Sequence, residues 1–208
     1  MNLSFDQYER FIWLPEILKY LGQDQEKLSI LDVGGFPGHL RQVLPESVLY
    51  HYTDMLVPEN DPHFVLMDEQ GKIPLPDESQ DLVVSIDTLE HVPPESRESF
   101  LKELFRLAKS AVILIAPFAS EDVKLMEEIL SGLYLENGIF HHFLAEHIDY
   151  GLPEEGQILG FFKDNRWNAK IYPLNDLDLW FQYMLFQFYA QTMKQGSQEA
   201  IDSYFISR

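Results

Sequence analysis

Apolar and polar positions along the chain follow two rhythms that take turns. Five short apolar runs read as strands: Ser29–Val33, Val48–Thr53, His63–Met67, Asp81–Ser85 and Ala111–Ala116. The fourth and fifth, DLVVS and AVILIA, scarcely alternate. Strands buried on both faces of a parallel sheet have this composition. Between them, Phe100, Leu101, Leu104, Phe105 and Ala108 recur at helical steps, so Pro94–Lys109 is predicted as an amphipathic helix. A shorter helix, Gly38–Leu44, follows the first strand. Strands and helices in this order form βαβ units and a doubly wound, mostly parallel α/β sheet with helices on both faces.

The flanks are helical. Ser4 and Gln7 have capping-box spacing ahead of Phe11, Ile12, Leu14, Ile17, Leu18 and Leu21, and Pro15 should kink or restart that helix. Beyond the fifth strand, Ser120 is placed as an N-cap, with Glu121 and Asp122 in the first turn. Helices are predicted over 121–136, 140–149 and 154–164, and Ala169–Tyr172 as a sixth strand. Leu177–Met193 is a strongly aromatic helix with a narrow glutamine-bearing stripe, expected to pack on the outer strands, to form a homodimer contact or to cover an apolar ligand as a lid. With no repeats or linker, the organisation is one domain: a helical segment over 1–28, an α/β core over 29–117, and a helical elaboration over 118–208 that completes the sheet.

The first strand runs into Val33-Gly34-Gly35-Phe36-Pro37-Gly38. Glycines let a chain reverse tightly and approach a ligand, and the following helix start offers N–H groups to a carboxylate or phosphate. Asp54 closes the second strand, where a carboxylate can accept hydrogen bonds from ribose hydroxyls. These features describe a site for a nucleoside-type cofactor. The dinucleotide pattern G-x-G-x-x-G is not met.

Asp32, Gly34 and Gly38 resemble the first motif of the class I S-adenosylmethionine-dependent methyltransferases, with Phe36 standing where the middle glycine usually is. The resemblance extends through Met67-Asp68-Glu69 and Ile73–Ser85 to Ile86-Asp87-Thr88-Leu89-Glu90-His91-Val92-Pro93-Pro94. It covers about residues 9–117 and implies S-adenosylmethionine as cofactor. It further implies that Gly34, Gly35, Phe36 and Gly38 surround the methionine moiety and that Asp32 orders the turn. Asp54 would hold the ribose and Met55 pack on the adenine. Asp68 would sit near the adenine amino group with Glu69 beside it, and Asp87 and Leu89 would line the site. Read without the family, Asp68 and Asp87 are turn or cap residues. Family members end with a hairpin of sixth and seventh strands, for which Ala169–Tyr172 and Tyr204–Ser207 are the candidates.

Methyl transfer is an in-line displacement, so the protein chiefly aligns the acceptor, and an oxygen acceptor also needs a base. His91, at the carboxyl edge of the fourth strand, is one candidate. His142 and His147 are others. On a helix His142 shares a face with Glu146, and His147 with Phe143. His141 lies beside them. The spacing matches no known zinc signature, and no metal site is predicted. The stretch HHFLAEHIDYGLP resembles methyltransferases of glycan and surface-polysaccharide gene neighbourhoods, implying O-methylation of a small-molecule or sugar-like (glycan) acceptor. The alternative is a non-catalytic S-adenosylmethionine-binding or regulatory module of the same fold.

Charge narrows the partners. With 34 acidic and 15 basic residues the chain carries a net charge of −19, which disfavours nucleic acid and anionic lipid. The stretch 121–155 holds nine carboxylates and one basic residue, Lys124, so a neutral or cationic acceptor is expected. No cysteine is present to form a disulfide or a thiolate site. No secretory signal opens the chain and no apolar run is long enough to span a membrane, so the expected location is cytoplasmic.

Overall fold

The computed structural model describes residues 3–21, 27–68, 71–174, 176–193 and 198–207. The chain divides into two compact units: Phe11–Ala116, and Met1–Arg10 with Pro117–Arg208.

The first unit is built on four parallel strands, β1 (Ser29–Val33), β2 (Leu49–Thr53), β3 (Gln80–Ile86) and β4 (Ala108–Ile115), in the order β2-β1-β3-β4. The chain moves outward from β1 to β2, then returns past β1 to β3, so the order reverses between β1 and β3. Open α/β sheets bind ligands outside the carboxyl ends of strands at such a reversal. One face of the sheet, with Ile30, Tyr50, Tyr52, Leu82 and Val84, packs against Leu14 and Leu18 of helix α2 (Trp13–Tyr20) and against Leu40 and Leu44. Helix α3 (Arg97–Leu107), with Leu101, Leu104 and Leu107 buried, connects β3 to β4.

Polar clamps set the register. Ser29 donates its N–H and its hydroxyl to Asp81 Oδ2 (2.9 and 2.8 Å), and its hydroxyl oxygen accepts the Asp81 N–H (2.9 Å). The exchange pins the start of β1 to the start of β3 and holds the Asp81 carboxyl below its ordinary range. Arg106 secures the loop entering β3. Its guanidinium donates to both oxygens of Glu103 (2.7 Å each), to Asp77 (2.7 Å) and to the carbonyls of Leu75 and Ile73 (2.8 and 3.0 Å).

Several predicted boundaries change. His63–Met67 is not a third strand: one parallel bridge, Tyr52 to Phe64, remains beside β2. The Asp61 carboxylate takes the His63 N–H at 2.8 Å, a local turn that competes with ladder pairing. The helix at Gly38–Leu44 is a single 3-10 turn, His39–Gln42, with Arg41 reaching forward to the carbonyls of Leu44 and Pro45. Pro94–Lys109 resolves into a 3-10 turn, Pro94–Ser96, then α3, and the chain is already extended at Ala108. Pro15 does act on its helix. Helix α1 (Phe5–Phe11) ends at a break at Ile12, and α2 restarts with Pro15 in its first turn, where its ring would otherwise meet the Phe11 carbonyl.

The second unit is helical: α4 (Glu121–Glu136), α5 (His142–Tyr150), α6 (Glu155–Asp164), α7 (Leu177–Met193) and α8 (Gln198–Ile206). Ser120 caps α4 as expected, its hydroxyl accepting the Val123 N–H at 3.1 Å. Among the described residues no strand follows β4. Ala169–Tyr172 is irregular and exposed, and Pro173 after it has no N–H for a ladder. Tyr204 to Ile206 belong to α8, whose Ile201, Tyr204 and Phe205 have helical spacing that turns Phe205 into an aromatic core. In that core Tyr183, Met184 and Phe188 of α7 meet Phe5, Leu130, Tyr134, Leu144 and Phe205. α7 therefore packs among the helices of its own unit. Asp202 Oδ1 accepts the Phe5 N–H (2.8 Å), the Tyr183 hydroxyl (2.8 Å) and the Gln198 amide (3.1 Å). Among the described residues no helix is long and apolar enough to cross a membrane.

Arg106→Lys keeps a charge but loses the planar fork. Its expected effect is a stability loss of ~1–3 kcal/mol in urea unfolding. A loss near zero would mean the loop before β3 is held by other contacts.

Candidate active site at the β1 turn

Each element of the turn has a physical reason. Leaving β1, the chain reverses through Gly34 and Gly38, both at positive φ (85° and 83°). A side chain at Gly34 would collide with Thr88, and one at Gly35 with the Asp32 carboxylate. One at Gly38 would press on the Tyr52 ring, its Cβ 2.9 Å from the nearest ring carbon. The glycines are thus imposed from three sides: by β1 below, by β2 beside, and by the segment after β3.

Asp32 is buried beneath this turn. Tyr50 donates its hydroxyl to Asp32 Oδ2 at 2.9 Å. Burial raises the Asp32 carboxyl to about 7; the Tyr50 bond opposes the rise and the Asp54 charge adds to it. The same burial and the facing carboxylate push the Tyr50 hydroxyl far above its ordinary value. Next to it Tyr52, stacked on Tyr50 with ring centres 6.1 Å apart, donates to Asp61 at 2.8 Å.

The turn's own amides are mostly committed. Gly34 and Gly35 donate to the Thr53 carbonyl (2.8 and 3.3 Å), and Gly38 to that of Gly35 (2.6 Å). Phe36 donates to Asp54 Oδ2 (3.1 Å). These four amides are therefore engaged within the chain. Asp54 also takes the Leu56 N–H on Oδ1 at 2.9 Å. It ties the end of β2 to the turn while its oxygens keep further lone pairs for a hydroxyl donor. Beyond it, Met55 (83% exposed), Leu56 and Val57 present an apolar run to solvent. A flat heterocycle could be covered there.

After β3, Asp87 adopts a left-handed conformation (φ 50°) with its N–H on the Ile115 carbonyl. Thr88 donates to the carbonyl of Ile86 or Val33 (3.1 and 3.3 Å), which brings this segment against the glycine turn. Leu89 is fully buried within the 3-10 turn Leu89–His91. His91 is half-buried, with its backbone N–H on Thr88. Asp68 lies in an exposed turn, accepting the Lys72 N–H on Oδ1 (2.8 Å) and donating its own N–H to the Lys72 carbonyl (3.0 Å). This is the turn role it was given when read without the family. Glu69 lies outside the described residues.

In the helical unit, His142 and Glu146 form the expected pair on α5 (3.0 Å), with His142 exposed and Glu146 partly buried. His141 caps α5, its Nδ1 accepting the Leu144 N–H at 3.3 Å, and burial lowers its pKa. His147 is different. Its Nδ1 stands 2.7 Å from Oε1 of Glu127 on α4, with 11% and 5% of the two side chains exposed. Glu127, Tyr50 and Thr88 were not foreseen as site residues. For Tyr50 the signal was its inward-facing position on β2, two residues from Tyr52. For Glu127 it was a carboxylate on the apolar stripe of α4, three residues before Leu130.

The family described as a methyltransferase domain matches residues 31–116. Solved structures share the fold at low identity. A candidate sarcosine dimethylglycine methyltransferase from Galdieria sulphuraria aligns at TM-score 0.58 and 14% identity, over 94% of this chain and 77% of that one. The YcgJ protein of Bacillus subtilis aligns at 0.53 and 18%, over 93% and 87%. A candidate methyltransferase of Haloferax volcanii, solved with the Trm112 methyltransferase activator, aligns at 0.52 and 16%, over 86% and 83%. No curated protein matches the chain by sequence.

Asp32 has a pH signature. Its folded pKa, about 7, lies above the ordinary 3.8, so the folded chain holds this proton more tightly than the unfolded chain does. The group favours folding at low pH, and that contribution is lost as pH rises through about 7. In urea unfolding, Asp32→Asn should therefore gain stability relative to wild type as pH climbs across that window. Parallel pH profiles would show that Asp32 does not titrate there. The glycine turn with its buried carboxylate and the reversal of strand order beside it lie within residues 31–116, the part of the chain that matches the methyltransferase-domain family.

Proposed function

We propose that the protein methylates an oxygen of a small neutral or cationic acceptor, sugar-like in size, with His147 taking the acceptor's proton. The observation that carries this reading is the buried Glu127–His147 pair. S-adenosylmethionine, when bound, supplies a methyl group already activated on a sulfonium. The chain's residues have the remaining work: to hold, to align and to deprotonate. In the β1 unit, Asp54 holds the ribose, Met55 covers the adenine, and Asp32 keeps the glycine turn in shape. In the helical unit, the Glu127 carboxylate accepts the Nδ1–H of His147, which leaves the basic lone pair on Nε2. Glu127 also offsets the positive charge that His147 gains with the proton. A buried carboxylate–histidine pair is expensive to maintain, and such pairs concentrate at functional sites. The acidic stretch 121–155 supports a neutral or cationic acceptor.

A second reading, a module that binds the cofactor without turnover, is favoured by one observation. Phe36 occupies the position of the middle glycine, and its amide is committed to Asp54.

Two experiments test these assignments. In an acceptor panel of neutral polyols, amines and polyanionic glycans, transfer is expected to a neutral hydroxyl. His147→Gln should then lower kcat by about 100-fold or more while leaving cofactor affinity unchanged. Unchanged kcat in the folded variant would remove His147 as base, and binding without transfer to any acceptor would establish the module. Separately, Asp54→Ala should weaken S-adenosylhomocysteine binding by ~1–3 kcal/mol in calorimetry. Equal affinity would take Asp54 out of the site.

A further inference from the structure

The helical unit carries an open depression of about 410 Å³ at the end of α6, lined by Leu159, Phe162, Lys163, Arg166, Trp167 and two small neighbours. Its chemistry is at odds with the rest of the chain. Three of the 15 basic residues, Lys163, Arg166 and Lys170, fall between residues 159 and 170, against one acid, Asp164, in a protein of net charge −19. Among the described residues, no hydrogen bond or ion pair engages the Lys163 or Arg166 head group. The apolar wall is firm: Phe162 is buried, and the Trp167 ring packs edge-on against Phe161 with centres 5.5 Å apart.

The backbone presents Arg166 deliberately. α6 ends in a reversal in which Trp167 N–H returns to the Phe162 carbonyl (2.8 Å) and Arg166 N–H to that of Lys163 (3.0 Å). The residue at the bend must be left-handed, and glycine is the usual occupant. Here it is Arg166, at φ 61°. A strained non-glycine residue is retained, in general, where its side chain does something glycine cannot.

We propose that this depression binds a small aromatic phosphate, the ring lying on the apolar wall and the phosphate meeting Lys163 and Arg166. Two cations suit a dianion, and a guanidinium can grip two phosphate oxygens at once. The volume is that of a site for one small molecule.

The test is calorimetric titration of the full chain saturated with S-adenosylhomocysteine, so that the probe cannot enter the cofactor site. Phenyl phosphate should bind at least about tenfold more tightly than benzyl alcohol and than inorganic phosphate, reflecting the charged and apolar halves respectively. Arg166→Gly should cut phenyl phosphate affinity at least about fivefold while holding or raising Tm, because glycine relieves the left-handed bend. Lys163→Gln, on the exposed end of the helix, should weaken binding with Tm unchanged. Equal binding of benzyl alcohol, wild-type affinity in both variants, or no heat with millimolar phenyl phosphate would each overturn the proposal.

Discussion

The hydrogen bond from Tyr50 to the buried Asp32 carboxylate is the constraint on which the site depends. A carboxyl group this deep is tolerated because it has a hydroxyl partner and because its proton is held more tightly than usual. Its position decides what can stand above it. Gly35 cannot carry a side chain, Gly34 is closed off by Thr88, and Gly38 by the Tyr52 ring. The turn, the end of β2 and the segment after β3 are thereby fixed relative to one another. Asp54 completes the arrangement from above by gripping the Phe36 amide. The site is thus shaped less by a flexible glycine loop than by two carboxylates, one under the turn and one over it.

What could be read in the sequence follows from where the information lies. The strands β1, β3 and β4 and the helices α4 and α7 are specified locally, by apolar composition or by helical period, and they appear as expected. The glycine turn and Asp54 were legible because their spacing is short. His63–Met67 had the composition of a strand, yet Asp61 diverts the backbone before a ladder can form. Tyr204–Ser207 had aromatic and β-branched residues, but Phe205 gains more from the core with Phe5 and Tyr183 than from a sheet edge. Glu127 meeting His147 depends on how two helices pack, and no pattern within either one announces a partner 20 residues away.

The acidity of the chain also separates by place. Asp32, Asp54, Asp61 and Asp81 each accept specific hydrogen bonds and organise backbone or tyrosine hydroxyls. Glu127 is buried with a single histidine. Most other carboxylates are solvated. A total of −19 therefore describes the surface, while the working carboxylates are few and individually held. Against that background the basic cluster at the end of α6 stands out by sign as well as by shape.

The bond between the Phe5 amide and Asp202 joins residues 197 positions apart. During synthesis, the unit from Phe11 to Ala116 is a continuous stretch and can close as soon as β4 has emerged. The helical unit cannot, because the first helix must wait for α8, the most distant element of the described chain. Closing so long a loop is slow, although the entropy penalty grows only with the logarithm of its length. The aromatic faces of Phe5, Tyr183 and Phe188 stay uncovered over that interval. Assembly thus runs from the inside of the sequence outward, and the helical unit is the one exposed to misassociation while the chain is being made.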